Sequence, residues 1–224
     1  ENQENRLYRR AFLSISAVSV LSACLPRGVF VPAPDGIGAT RQTVFVATDR
    51  SVDDTMTTTG GRSEVVSIGR VDVSIPAAHQ TGQIEYPEQD ADNSNKFGVF
   101  SATRFASETP LLADLKASDN AADDVVVYVH GYNNTLAEAV YRHAQIAHDF
   151  GMTGPQVSFS WSSGAEPMGY IYDRDSIAIA RDSLEQLITT LATRQNRRIV
   201  ILAHSMGAML VTEVLRQMAI GGKE

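Results

Sequence analysis

A serine hydroxyl is a poor nucleophile unless a base takes its proton and donors hold the oxyanion that forms. Ala203-His204-Ser205-Met206-Gly207 is a stretch where such chemistry is possible, with a small residue two positions to either side of Ser205. The run Ile199 to Ala203 is apolar and β-branched, and predicts a strand buried on both faces. A turn follows with no intervening loop. Leu210, Val214 and Met218 at spacing four, with Val211 and Leu215 beside them, then predict a helix. Strand, sharp turn with a central Ser, and helix make a nucleophile elbow, in which the Ser backbone is strained and its neighbours must be small. The usual pattern begins with Gly; Ala203 replaces it here and is still small.

An elbow serine needs two backbone donors, one of them the N–H of the following residue, here Met206. The second comes from the turn after an earlier strand. Val125 to Val129 reads as a fully buried strand, and His130-Gly131-Tyr132-Asn133-Asn134 as the turn after it. Tyr132 N–H is the candidate donor. Thr135 and Glu138 form a capping box that opens a helix through about Phe150. Gln156 to Trp161 predicts the next strand, and about Asp175 to Arg194 a helix. The order β-α-β-α-β-α makes this half a parallel, doubly wound unit. Before it, Thr43–Ala47, Arg70–Ile75 and Lys96–Thr103 predict strands with no helical pattern between them, so antiparallel or mixed pairing is expected.

No base for Ser205 is legible. The five histidines, 79, 130, 143, 148 and 204, all precede it. His204 is adjacent and is expected to point away; His130 is expected to anchor its turn. His143 and His148 are expected on the surface of their helix, and His79 falls in a loop. Asp173 and Asp175 read as helix-starting carboxylates that complement the dipole. Trp161, Met168, Tyr170 and Tyr172 bracket a loop that either lines a substrate pocket or packs as core.

The chain has 224 residues, 43% hydrophobic, with net charge −7 and one cysteine. That is enough for one sizeable core, and no basic stripe exists to meet nucleic acid. A single Cys excludes internal disulfides and a Cys-based zinc site, and neither a metal nor a cofactor is expected. Arg6, Arg9 and Arg10 precede an apolar run, Ala11 to Ala23, too short to span a membrane. The run ends in Leu21-Ser22-Ala23-Cys24, which resembles a bacterial lipobox, so Cys24 is the expected lipidated residue. Arg9-Arg10-Ala11-Phe12-Leu13 is also similar to a twin-arginine export signal. The expected organisation is therefore a signal peptide over 1–23, the lipidated Cys and a Pro/Gly-rich tether over 24–40, and one domain over 41–224. With no Met before Met56, the start of the reading frame is expected upstream of this chain.

Val127-Tyr128-Val129-His130-Gly131-Tyr132-Asn133-Asn134, Phe159-Ser160-Trp161-Ser162, Tyr172-Asp173-Arg174-Asp175-Ser176 and Leu202-Ala203-His204-Ser205-Met206-Gly207 together resemble a bacterial, esterase/lipase-like branch of the α/β-hydrolase superfamily. Val44 to Arg50 and Val73 to Pro76 extend the resemblance to roughly residues 43–220. It implies an α/β-hydrolase fold, mostly parallel with antiparallel N-terminal strands and incomplete at the C-terminus. It implies, too, an acyl-enzyme on Ser205 that cleaves carboxylic esters, small-molecule or lipid. The superfamily order of Ser, acid and then His puts the triad acid and base beyond Glu224. A lipid-anchored location on the bacterial envelope follows from Cys24. The competing readings are a non-catalytic envelope lipoprotein that binds through the same fold, and an acyltransferase or amidase on the same scaffold.

Overall fold

A computed structural model of the chain describes residues 27–34, 39–117, 124–195 and 197–222. The expected signal peptide and Cys24 lie outside the described residues. The elements, in order, are β1 (Thr40–Val52), β2 (Thr58–Ile75), β3 (Gly98–Phe105), α1 (Glu108–Ala117), β4 (Val125–Val129), α2 (Leu136–Asp149), β5 (Gln156–Ser160), α3 (Tyr170–Gln195), β6 (Ile199–Ala203) and α4 (Met206–Ile220). They form one six-stranded sheet in the order β3-β2-β1-β5-β4-β6. β1, β2 and β3 pair antiparallel; β1, β5, β4 and β6 run parallel. The α/β-hydrolase architecture expected from the sequence is present.

Alternation along the strands sets the layers. Phe45 and Ala47 of β1 join Val125, Val127, Val129, Val157 and Phe159 on the face covered by α1, α3 and α4. Val44 and Val46 turn to the other face, where Leu136, Val140, Tyr141 and Ala144 of α2 pack with Val71 and Val73. β4 lies between two strands and all five of its residues are buried. β6 differs from expectation: Val200 is 40% exposed, because β4 is its only neighbour among the described residues. An apolar run read as buried on both faces is here a partly open edge.

Other boundaries moved for physical reasons. β1 and β2 run well beyond their apolar cores because they pair as one long hairpin through polar Thr and Arg positions. α1 has no counterpart in the sequence reading, since only Leu111 and Leu115 are buried and two residues make no legible stripe. α3 begins at Tyr170, a turn earlier than expected, so Tyr170 and Tyr172 are helical rather than loop residues. His143 is a correction: it is fully buried on α2, over Tyr128, with Nε2 3.1 Å from Gln156 Oε1. Residues 27–34, expected within a tether, lie docked on the domain, where Val99 N–H donates to Val31 O and Ala33 N–H to Val99 O.

Candidate active site

Ser205 joins β6 to α4 with φ 53° and ψ −122°, a conformation that L-residues rarely adopt. Such strain costs on the order of 1–3 kcal/mol and persists only where the surroundings impose it. Here His204 N–H donates to Val129 O at 3.0 Å, Gly207 N–H to His204 O at 2.9 Å and Ala208 N–H to Ser205 O at 2.9 Å. A Cβ at Gly207 would lie 2.4 Å from His130 O and 2.5 Å from Val129 O, so the first turn of α4 can approach the end of β4 only without a side chain. The Ser205 side chain is exposed and makes no capping hydrogen bond to α4.

The turn after β4 meets this elbow. A Cβ at Gly131 would stand 2.9 Å from Ser205 Cβ and 2.7 Å from His204 Nδ1. Close approach, rather than a positive φ, requires this glycine; Asn133 is the turn residue with φ 58°. Asn133 N–H donates to Asp173 Oδ2 at 3.1 Å and Asn134 N–H to Ser163 Oγ at 3.2 Å. Tyr132 N–H and Met206 N–H meet no acceptor among the described residues.

Beneath the turn lies a polar cluster that the sequence reading missed. Arg50, 5% exposed, donates from Nη2 to Asn134 O and from Nη1 to Ser163 O, both at 2.8 Å, and from Nε to Ser160 Oγ at 3.3 Å. Burial lowers its pKa to about 10, against the pull of Asp49 and Asp173. Asp49 is raised by its own burial, partly offset by the Ser162 hydroxyl 2.7 Å from Oδ1. Asp173, in the first turn of α3, also accepts from Ser163 Oγ and Gly164 N–H, each at 2.6 Å. The available signal was a charged pair, Asp49-Arg50, on a strand whose preceding residues are apolar.

His130 is fully buried and stacked on Trp161, with ring centroids 4.9 Å apart. Burial, with Arg50 nearby, pushes its pKa down to about 3, and the carbonyls of Gly131 and Trp161 oppose this without prevailing. The neutral ring carries one N–H; Nδ1 stands 2.8 Å from Gly131 O, and Nε2 stands 3.1 Å from Trp161 O and 3.3 Å from Ser160 Oγ. Trp161 Nε1–H donates back to His130 O at 2.8 Å. Trp161 is thus core, whereas Met168 and Tyr170 are solvent-exposed.

None of the five histidines hydrogen-bonds Ser205. Burial lowers His143 to about 4. His79 lies between Glu85 and Asp149, 2.9 Å from each, and those contacts raise its pKa although burial opposes them. His148 meets His79 edge to face, ring centroids 5.6 Å apart, at the far end of α2. His204 Nδ1 lies over Gly131. Asp173 is committed to the loops described above, and Asp175 pairs with Arg174. A cavity of about 660 Å³ opens beside the turn, with Arg50, Thr135, Ser162, Ser163 and Tyr172 in its wall, but Ser205 and Tyr132 do not line it. Among the described residues no group of three or more His, Cys, Asp or Glu could hold a metal ion. No described helix is long and apolar enough to cross a membrane.

A family described as alpha/beta hydrolase of unknown function (DUF900) matches residues 103–224, more than half of the chain. No curated protein and no solved structure matched the chain.

Proposed function

We propose a function from one premise: the chain belongs to that family of alpha/beta hydrolases. The protein is a serine hydrolase of carboxylic esters, exported to the bacterial envelope and anchored there through a lipidated Cys24. The observation that carries the chemistry is the strained Ser205 at the β6–α4 junction, packed against Gly131 of the turn after β4.

Ser205 Oγ attacks the ester carbonyl carbon while a base takes its proton. The carbonyl oxygen becomes an oxyanion held by Met206 N–H and Tyr132 N–H, neither of which has another acceptor among the described residues. Collapse of the tetrahedral intermediate expels the alcohol, which takes up the proton, and leaves an acyl-enzyme on Ser205. Water then attacks the acyl carbon, and the carboxylic acid leaves as Oγ regains its proton. The base and its acid partner are supplied by residues other than the described ones, since each described histidine is otherwise placed.

A second reading is a binding module on the same fold. Full-length protein treated with a fluorescent alkyl phosphonate distinguishes the two. The hydrolase is labelled on Ser205, and Ser205→Ala abolishes both labelling and turnover of short-chain esters. An unlabelled parent sustains the binding module, and Ser205→Ala labelled at the parent rate moves the nucleophile elsewhere. Product transfer to an added alcohol, or cleavage of amides in preference to esters, identifies the acyltransferase or amidase.

A further inference from the structure

We infer that the rim of this site lies against a lipid bilayer and that its substrates are acyl esters held in that bilayer. The inference rests on the esterase reading and on the Cys24 anchor proposed with it.

The chain just after Cys24 grips the turn beside Ser205. Arg27 donates from Nη1 to Asn133 Oδ1 at 2.8 Å and from Nη2 to Asn133 O at 2.6 Å, and pairs with Glu138 at 2.6 Å. Gly28 N–H donates to Glu138 Oε1 at 3.0 Å, and Gly28 O accepts from Thr135 Oγ1 at 2.8 Å. Asn133 is two residues from Gly131, which touches Ser205. Two residues, Leu25 and Pro26, separate Cys24 from Arg27, and three steps of at most ~3.6 Å put an anchor at Cys24 within about 11 Å of Arg27. A headgroup layer is roughly 5–8 Å thick on each side of the hydrocarbon core. Acyl chains on Cys24 therefore keep Arg27, and with it the turn that its guanidinium grips at Asn133, close to the headgroup layer.

A second feature points the same way. On the other flank of the turn, Tyr132 Oη donates to Glu166 O at 3.1 Å and Pro167 O at 2.7 Å, and its ring meets Tyr170 at 5.8 Å. The residues that follow Pro167 turn apolar side chains outward: Met168 is 94% exposed, Tyr170 54% and Ile171 67%. Core packing does not account for three such side chains in four positions. Apolar and amphipathic side chains of this kind enter the boundary between headgroups and acyl chains, where lipid ester groups lie. The chain's net charge of −7 gives no general attraction to anionic lipid, so the contact is apolar and insensitive to salt.

The test uses the lipidated, full-length protein in phosphatidylcholine vesicles. A fluorophore is attached to a cysteine introduced by Met168→Cys, or by Phe150→Cys at the far end of α2, about 21 Å along a 14-residue helix. Brominated lipid should quench the probe at 168 and spare the one at 150. No quenching at 168, or equal quenching at both, overturns the inference, and so does a mass spectrum with Cys24 unmodified. With esters as substrate, the pair Met168→Asp and Ile171→Asp should lower turnover of a vesicle-borne ester at least ~10-fold, since each charge must leave water to enter the interface. Turnover of a soluble short-chain ester should stay within about twofold of the parent; equal effects on both overturn the proposed substrate class. If Ser205→Ala refutes the esterase, that class falls with it, while the quenching result still decides the orientation.

Discussion

Between Ala203 and Gly207 the chain bends through a positive φ at Ser205 and is held by main-chain hydrogen bonds within the bend and to the neighbouring strand. Between His130 and Asn134 it is held by side chains from distant segments: Arg27 and Arg50 on its carbonyls, Ser163 and Asp173 on its N–H groups. The first turn stores its conformation in the backbone; the second borrows its own from the rest of the fold. A turn of the first kind is sensitive to volume at one or two positions. A turn of the second kind is sensitive to charge and burial far away in sequence.

The contact between the two turns is where the largest effect is expected. Gly131→Val puts branched carbons where even a Cβ would stand 2.9 Å from Ser205 Cβ. Displacing the Tyr132 donor should cost on the order of 100- to 1000-fold in turnover by the full-length protein, about 2.7–4 kcal/mol. Near-parent kcat in a folded Gly131→Val protein would remove Tyr132 N–H from the proposed mechanism.

Next comes pH, which should act beneath the second turn and around α2. His130 and His143 are buried and neutral, with pKa values of about 3 and about 4 in the folded protein. The unfolded chain binds a proton on each near pH 6.5. Because the folded values are depressed, stability is level above pH 6.5 and falls as pH drops from there toward 4, by roughly 2 kcal/mol per histidine at pH 5. His79 works in the opposite sense: its raised value gives a contribution present below about pH 6.5 and lost as pH rises through the folded value. Urea unfolding from pH 8 to 5 measures the balance, and His143→Gln should flatten the acid limb. An unchanged slope in that variant would mean that His143 is not held neutral.

A smaller effect should follow from Arg50→Lys. The charge remains, but an ammonium cannot reproduce the planar fork that reaches Asn134 O, Ser163 O and Ser160 Oγ together. Turnover should fall about 10-fold through kcat with KM little changed, since the loss is of positioning. A fall confined to KM would place Arg50 in substrate binding, at the cavity whose wall it shares.

How much of this was legible depended on distance along the chain. The capping box of Thr135 and Glu138 was readable because its partners are three residues apart, and both of its bonds form at 2.8 and 3.1 Å. The elbow was readable for the same reason, as strand, Ser and helix are consecutive. His143 was misplaced because a helical wheel counts polarity, and this histidine satisfies its ring against Gln156 of the adjoining strand. The apolar run of β6 fits a strand with neighbours on both sides, and among the described residues β4 alone pairs with it.

The sequence by itself determined the elements that carry Ser205, their parallel order and the glycines at 131 and 207 that let them approach. Those features follow from side-chain periodicity and from the absence of a Cβ, both local properties. The tertiary structure alone decided what clamps the turn after β4. Arg50 and Asn134 are 84 positions apart, and Arg27 and Asn133 are 106. A hydrogen bond between residues so far apart leaves no periodic trace in a sequence; it exists only once the sheet has brought the C-terminal ends of β1, β4 and β5 side by side.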